Sequence, residues 1–197
     1  MTRGDDYRVY AGPPGFRQFV RLFLAVRRQP QFQRYTGPLT WLTYLALLPS
    51  AYLFSKLRGQ PHVIIVEDAS SRLLAGIMIT RDGWLRNFVA FQGSREGARA
   101  SLRGYEELQR LQHSPSFRTR TLRIRTAATN VSLIRMLRRI GYEPWDTPSY
   151  LVTAPLGPFR YSWVATSKPK HRLFHVEQQV LLVRTPIPDP DRDDRTP

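Results

Sequence analysis

Residues 126–152, TAATNVSLIRMLRRIGYEPWDTPSYLV, decide how the chain is read. A polar run leads to Asn130. Leu133, Ile134, Leu137 and Ile140 then recur at helical spacing, which predicts a helix over 130–141 with these four side chains inward. Thr129 or Asn130 caps it and Gly141 ends it. SYLVTAPL (149–156) reads as the next strand. On the other side, TRTLRIRTA (119–127) alternates, with Leu122 and Ile124 on one face and Arg123 and Arg125 on the other.

Further upstream, DYRVYAG (5–11) reads as a strand before a Gly-Pro-Pro-Gly turn. FRQFVRLFLAVRR (16–28) reads as an amphipathic helix, and residues 39–57 as one broken helix or two. HVIIVED (62–68), RLLAGIMIT (72–80) and WLRNFVAFQ (84–92) are three apolar runs joined by short turns, the second turn being Arg-Asp-Gly. They predict an antiparallel meander. The period then changes: Ala98, Leu102, Tyr105, Leu108 and Leu111 predict a helix over 94–113. RLFHVEQQVLLVRT (172–185) reads as one more strand. The Pro- and charge-rich end, PIPDPDRDDRTP, is expected to be disordered.

Composition narrows the function. The chain of 197 residues suits one domain with extensions, and 42% hydrophobic residues are enough for a core. Cysteine is absent, which excludes disulfides, thiolate metal sites and a cysteine nucleophile. This fits a reducing compartment, and a cytoplasmic location is expected. Of 30 basic residues three are lysine (56, 168 and 170), leaving 27 arginines, and the net charge is +15. Such a chain either meets an anionic partner or carries an arginine-rich solvated surface, and it repels polycations. The opening residues lack the apolar run of a secretory signal. Residues 35–55 carry no charge, but Gly37-Pro38 and Pro49 interrupt them. Two short buried helical pieces are expected there, with no integral membrane span. The histidines at 62, 113, 171 and 175 lack metal-ligand spacing.

The order strand, helices, three-strand meander, helix, strand, helix, strand over residues 5–156 resembles the GNAT (Gcn5-related N-acetyltransferase) superfamily. Three stretches carry the resemblance: Asn130, its helix and Gly141-Tyr142; the mid-strand glycine of RLLAGIMI; and the strand-loop-helix NFVAFQGSREGARASL. The resemblance implies an α+β fold, a mixed and mostly antiparallel central sheet flanked by helices. Residues 157–185 would be a C-terminal strand or hairpin extension, covering a sheet edge or building a dimer, and 186–197 a tail. It implies acetyl-CoA or another acyl-CoA as co-substrate and an amine as acceptor. Backbone groups of Val89, Ala90 and Phe91 would polarise the thioester carbonyl. Ser94, Arg95, Glu96, Gly97, Ala98 and Arg99 would form the pyrophosphate loop and helix start, and Asn130 would bond the pantetheine or acceptor side. Arg95, Arg99 and Arg103, four residues apart, form a stripe for phosphates. An ordinary helix start after a strand accounts for the same loop residues.

Catalytic residues are not assigned from sequence. Many members place a general-acid Tyr where this chain has Leu137, and a carboxylate on the central strand where WLRNFVAFQ has none. Tyr142 and Tyr150 read either as proton donors or as packing aromatics. Three functions follow. The first is an acyl-CoA-dependent N-acyltransferase of unknown acceptor. The second is a catalytically degenerate fold that grips nucleic acid or an acidic protein through basic faces such as RTRTLRIRT, which reads equally as a solvated sheet face. The third, ranked last, is a peripheral protein on anionic lipid.

Overall fold

The computed structural model describes residues 7–27, 37–57, 59, 61–90, 95–157 and 159–186. The first sheet is antiparallel, in the order β1 (Arg8–Gly12), β2 (His62–Glu67), β3 (Leu73–Ile79), β4 (Leu85–Ala90). The meander is therefore present, and β1 pairs with its first strand. A second sheet follows the order β5 (Leu122–Ala127), β9 (His175–Arg184), β7 (Ser149–Leu156), β8 (Phe159–Ala165), with the two-residue β6 (Glu143–Pro144) also on β9. Helices α1 (Phe16–Arg27), α2 (Pro38–Leu57), α3 (Arg95–Gln112), α4 (Pro115–Arg118) and α5 (Val131–Arg139) surround them.

One core crosses both sheets. Ile64, Ile77, Ile79 and Leu85 of the first sheet meet Leu122, Ile124 and Leu182 of the second under Tyr105 and Leu108 of α3 and Leu133 and Leu137 of α5. The opposite face of the first sheet is covered by α1, where Leu22, Ala25 and Val26 pack on Val63, Ile65 and Leu73. Gly76 belongs to this face: a Cβ there would lie 2.6 Å from Leu22 Cδ1, so the mid-strand glycine is what lets α1 sit down.

The two sheets touch through very little backbone. Among the described residues a single parallel bridge, Trp84 to Arg123, joins β4 to β5. The Arg123 N–H donates to the Gly83 carbonyl at 2.8 Å. Gly83 ends the Arg-Asp-Gly turn with φ +81°, and a Cβ on it would lie 2.1 Å from the Thr121 carbonyl oxygen. Only glycine permits both the conformation and the approach.

Two expectations need correction. Of the alternatives for residues 39–57, the single helix forms, running from Pro38 to Leu57 through Pro49, and it is not buried throughout. Trp41 and Leu48 are buried, but Leu42, Leu47, Leu53, Phe54 and Leu57 are exposed. Aromatic contacts hold this helix to α1, including Phe23 stacked on Trp41 at 4.7 Å. No described helix is long and apolar enough to cross a membrane. Secondly, residues 157–185 are more than an edge cover: β8 lies on the outer edge of β7, but β9 is interior. They supply β8 and β9, and β9 lies between β5 and β7, in register from Leu122↔Arg184 to Ala127↔Gln179 on one side. The end of the tail, 187–197, lies outside the described residues.

Gly83→Ala is expected to cost about 3 kcal/mol, from the strained φ and the clash together. Gly141→Ala makes a control: φ is +88° but no atom lies within 4 Å of the added Cβ, so only the conformational cost of about 1 kcal/mol applies. Urea unfolding of both variants checks the difference, and equal losses would contradict the pinning role of Gly83.

Candidate acyl-donor site

The site is built on the edge of β4 that faces β5. Past the Trp84–Arg123 bridge no ladder joins the two strands among the described residues. Strand residues direct their N–H and C=O groups alternately to either side, so part of the β4 backbone is left without a strand partner. The β3–β4 ladder is also irregular there. Met78 pairs with Arg86 and Gly76 with Val89, so Ile77 alone opposes Asn87 and Phe88. Such a bulge bends the strand and re-aims the backbone groups beyond it. Those groups belong to Val89 and Ala90, two of the residues expected to polarise a carbonyl. Phe91, the third, and Ser94 lie outside the described residues.

The next element, α3, starts at Arg95. The first N–H groups of an eighteen-residue helix are unpaired within it and carry partial positive charge, which favours a phosphate. Glu96 in the first turn gives the opposite sign, but its carboxylate is tied to Arg72 at 2.7 Å. Gly97 is buried, while Ala98 and Arg99 are exposed. The arginine stripe is interrupted: Arg103 turns along the helix to Glu106 at 2.8 Å. Arg95 and Arg99 lie in the first two turns of the helix, nearer its start than Arg103.

On the β5 side, Asn130 is the N-cap residue of α5, but its side chain does not cap it. Its amide nitrogen leans back to Thr126 Oγ1 at 3.4 Å, the long end of hydrogen bonding. The cap residue is held by backbone instead, Asn130 N–H to the Ala127 carbonyl at 2.9 Å. Half-buried at the end of β5, the Asn130 amide is weakly held.

Of the two candidate phenols, Tyr142 is committed to the core. Leu137 is fully buried in the core, so α5 presents no phenol at that position. Tyr142 is 1% exposed and accepts a hydrogen bond from Gln112 Nε2 at 2.8 Å. Burial pushes its phenol well above the usual range, against the lesser, opposing effects of the nearby Arg184 charge and of Gln112. It is a packing residue with its polar end satisfied. Tyr150 is half-buried on β7. Among the described residues no three His, Cys, Asp or Glu side chains converge to hold a metal ion.

The four arginines of 118–125 do not form one stripe. Arg118 ends α4, and Arg120 lies over the Phe117 ring, 4.9 Å from its centroid. Arg123 and Arg125 stand on the face of β5 away from the core. Trp84 and Arg86, not among the residues expected at the site, share that face. The signal available was the alternation of Trp84, Leu85 and Arg86 around a buried Leu85.

The sequence matches no family model and no curated protein. The fold does match solved structures. A probable acetyltransferase from Staphylococcus epidermidis aligns with a TM-score of 0.53 and 12% identity, over 91% of this chain and 99% of that one. A point mutant of the spermidine N-acetyltransferase of Vibrio cholerae aligns with a TM-score of 0.53 and 9% identity, over 90% and 94%. A chimera of that enzyme with hSSAT gives 0.51 and 12%, over 90% and 95%. The chain shares the fold of these acetyltransferase structures at 9–12% sequence identity.

Tyr142→Phe is expected to cost about 1–2 kcal/mol, because Gln112 loses its acceptor in the core. Its pH dependence has a defined sign. The folded phenol sits above the ordinary value of 10.0. Its contribution to stability is complete below that value and is lost as pH rises toward the folded one. Urea unfolding at about pH 8 and about pH 11 should therefore show the parent losing more at alkaline pH than the variant. Equal stability of the two proteins at the lower pH would contradict the core assignment.

Proposed function

We propose that the protein is an acyl-CoA-dependent N-acyltransferase, with acetyl-CoA the first donor to test. The observation that carries this reading is the backbone of β4: joined to β5 by one bridge, bulged opposite Ile77, and followed directly by the start of α3. An extended pantetheine arm can pair with the open edge of β4 as an added strand does. The α3 N-terminus would then take the diphosphate, with Arg99 close by.

In the reaction the amine lone pair attacks the thioester carbonyl carbon. A C–N bond forms, the C–S bond breaks, and the electron pair leaves on sulfur. The amine proton passes to the thiolate or to solvent. Backbone N–H groups of Val89 and Ala90 would polarise the carbonyl as negative charge develops on its oxygen. The rate would come mainly from holding amine and thioester together, because α5 offers no acid at Leu137. Asn130 would orient the arm or the acceptor with its weakly held amide. Acyl-CoA and an amine are the partners in this scheme.

The burial of Leu137 also favours a second reading, the same fold binding an anionic partner without transfer. Product formation separates the two. Thermal shift and calorimetry with acetyl-CoA test the first, with desulfo-CoA and inorganic phosphate as controls. Saturable stabilisation by acetyl-CoA is expected, with coupled release of free thiol when an amine is added. No shift at millimolar acetyl-CoA would sink the reading. Arg99→Glu is expected to weaken acetyl-CoA roughly tenfold, the loss of a charge-assisted contact at a helix start. Unchanged affinity would place the diphosphate elsewhere.

A further inference from the structure

The face of the opening turned away from α3 is cationic. Leu85, Leu122 and Ile124 point into the core beneath α3 and α5. Their sequence neighbours Trp84, Arg86, Arg123 and Arg125 therefore share the other face, the one α1 covers further along the first sheet. Contacts confirm this placement. The Arg125 guanidinium lies 5.3 Å from the centroid of the Trp84 ring. Trp84 bridges to Arg123. Arg125 sits close enough to Arg86 that the second charge adds to burial in holding its guanidinium below the usual value.

These cations lack anions. Arg125 Nε is buried without a hydrogen-bond partner. Arg123 Nη1 reaches only the Asp82 carbonyl, at 3.3 Å. Among the described residues no carboxylate is ion-paired with Arg86, Arg123 or Arg125. The acids of this side are engaged elsewhere: Glu67 with Arg21, and Asp82 with the Thr80 hydroxyl. Glu177 accepts from Gln179 Nε2 at 2.8 Å. It lies four residues along β9 from Leu181, the partner of Arg125, roughly 13 Å away. Crowded guanidinium groups beside an aromatic ring, none ion-paired among the described residues, suit an oxyanion.

If acyl-CoA lies along β4 with its diphosphate at α3, as proposed above, the amine must arrive from the face opposite α3. We propose that the acceptor is an amine that also bears an oxyanion, carboxylate or phosphate, seated on Arg86, Arg123 and Arg125 beside Trp84. The cluster aligns such an acceptor and repels a polyamine. A polyamine needs carboxylates along its path, whereas here three guanidinium groups face the single carboxylate of Asp82, which accepts from the Thr80 hydroxyl. The inference rests on the acyltransferase reading for the word acceptor, and on side-chain geometry alone for the anion.

The test uses the full chain with coenzyme A present, and compares pairs of amines that differ only in the anion. Phosphoethanolamine is set against ethanolamine, and β-alanine against its amide, with spermidine as the polycation. Calorimetry at low salt is expected to show each anionic amine binding roughly tenfold or more tightly than its neutral counterpart, with affinity falling as salt rises. The two pairs show whether phosphate or carboxylate is preferred. Arg125→Gln should abolish the preference. Arg86→Gln, an exposed change that leaves the stacked pair intact, should reduce it, and neither should alter acetyl-CoA affinity. With acetyl-CoA as donor, kcat/KM should follow the same order. Equal binding of charged and neutral members, or tighter binding of spermidine, would overturn the proposal while leaving acyl-CoA binding untouched. Loss of acetyl-CoA binding in the parent would instead overturn the acyltransferase reading. An anion preference that survives both variants would also overturn the assignment to this cluster.

Discussion

The architecture depends on one backbone contact, the close approach of Gly83 to Thr121 and Arg123. Two sheets that share a core normally either merge into one or pack face to face. Here they do neither. A single bridge holds β4 and β5 at one end, and the common core of α3 and α5 holds them from behind. The remaining length of β4 keeps an open edge, which in most proteins is a liability to be covered. In this chain the edge runs beside β5, which meets it at that single bridge among the described residues. Glycine at 83 is the condition for this: any side chain would push the strands apart where they must meet.

Charge is distributed in accord with that geometry. Several exposed arginines are neutralised locally, such as Arg72 by Asp68 and Glu96, Arg103 by Glu106, and Arg110 by Glu107. Exposed pairs of this kind add little stability. They do cancel positive potential over the back of the molecule. Arg86, Arg123 and Arg125 have no such pair among the described residues; what sets them apart is their crowding beside Trp84 at the junction of β4 and β5.

Much of the frame was legible in the sequence because it rests on local periodicity. The meander, α3, β5, α5 and β7 follow from apolar spacing and from glycine stops, and each lies within a few residues of its expected span. The failures share a physical cause. Residues 38–57 look buried because they carry no charge until Lys56, yet hydropathy does not report which face finds a partner. The sheet position of β9 was hidden because strand order is a long-range property: nothing in HVEQQVLLVR states that it enters between β5 and β7. The bulge in β4 and the bridge at Trp84 were equally invisible, since both are defined by a partner strand. The candidate site suffered most. Its backbone half was foreseeable from strand and helix order, whereas its cationic half appears only when β4 and β5 are brought side by side.

The interior place of β9 has a consequence for how the molecule comes into being. Strands β5 and β7 are made well before β9, but they have no ladder with each other and must wait for it. The first sheet consists of strands close in sequence after β1, so it can assemble while synthesis continues. The second sheet cannot close until residues 175–184 have left the ribosome. Until then β5 and β7 present unpaired edges, and the wall of the opening that β5 forms has no fixed position. The order of synthesis thus favours the first sheet forming before the second, which closes only once β9 is complete.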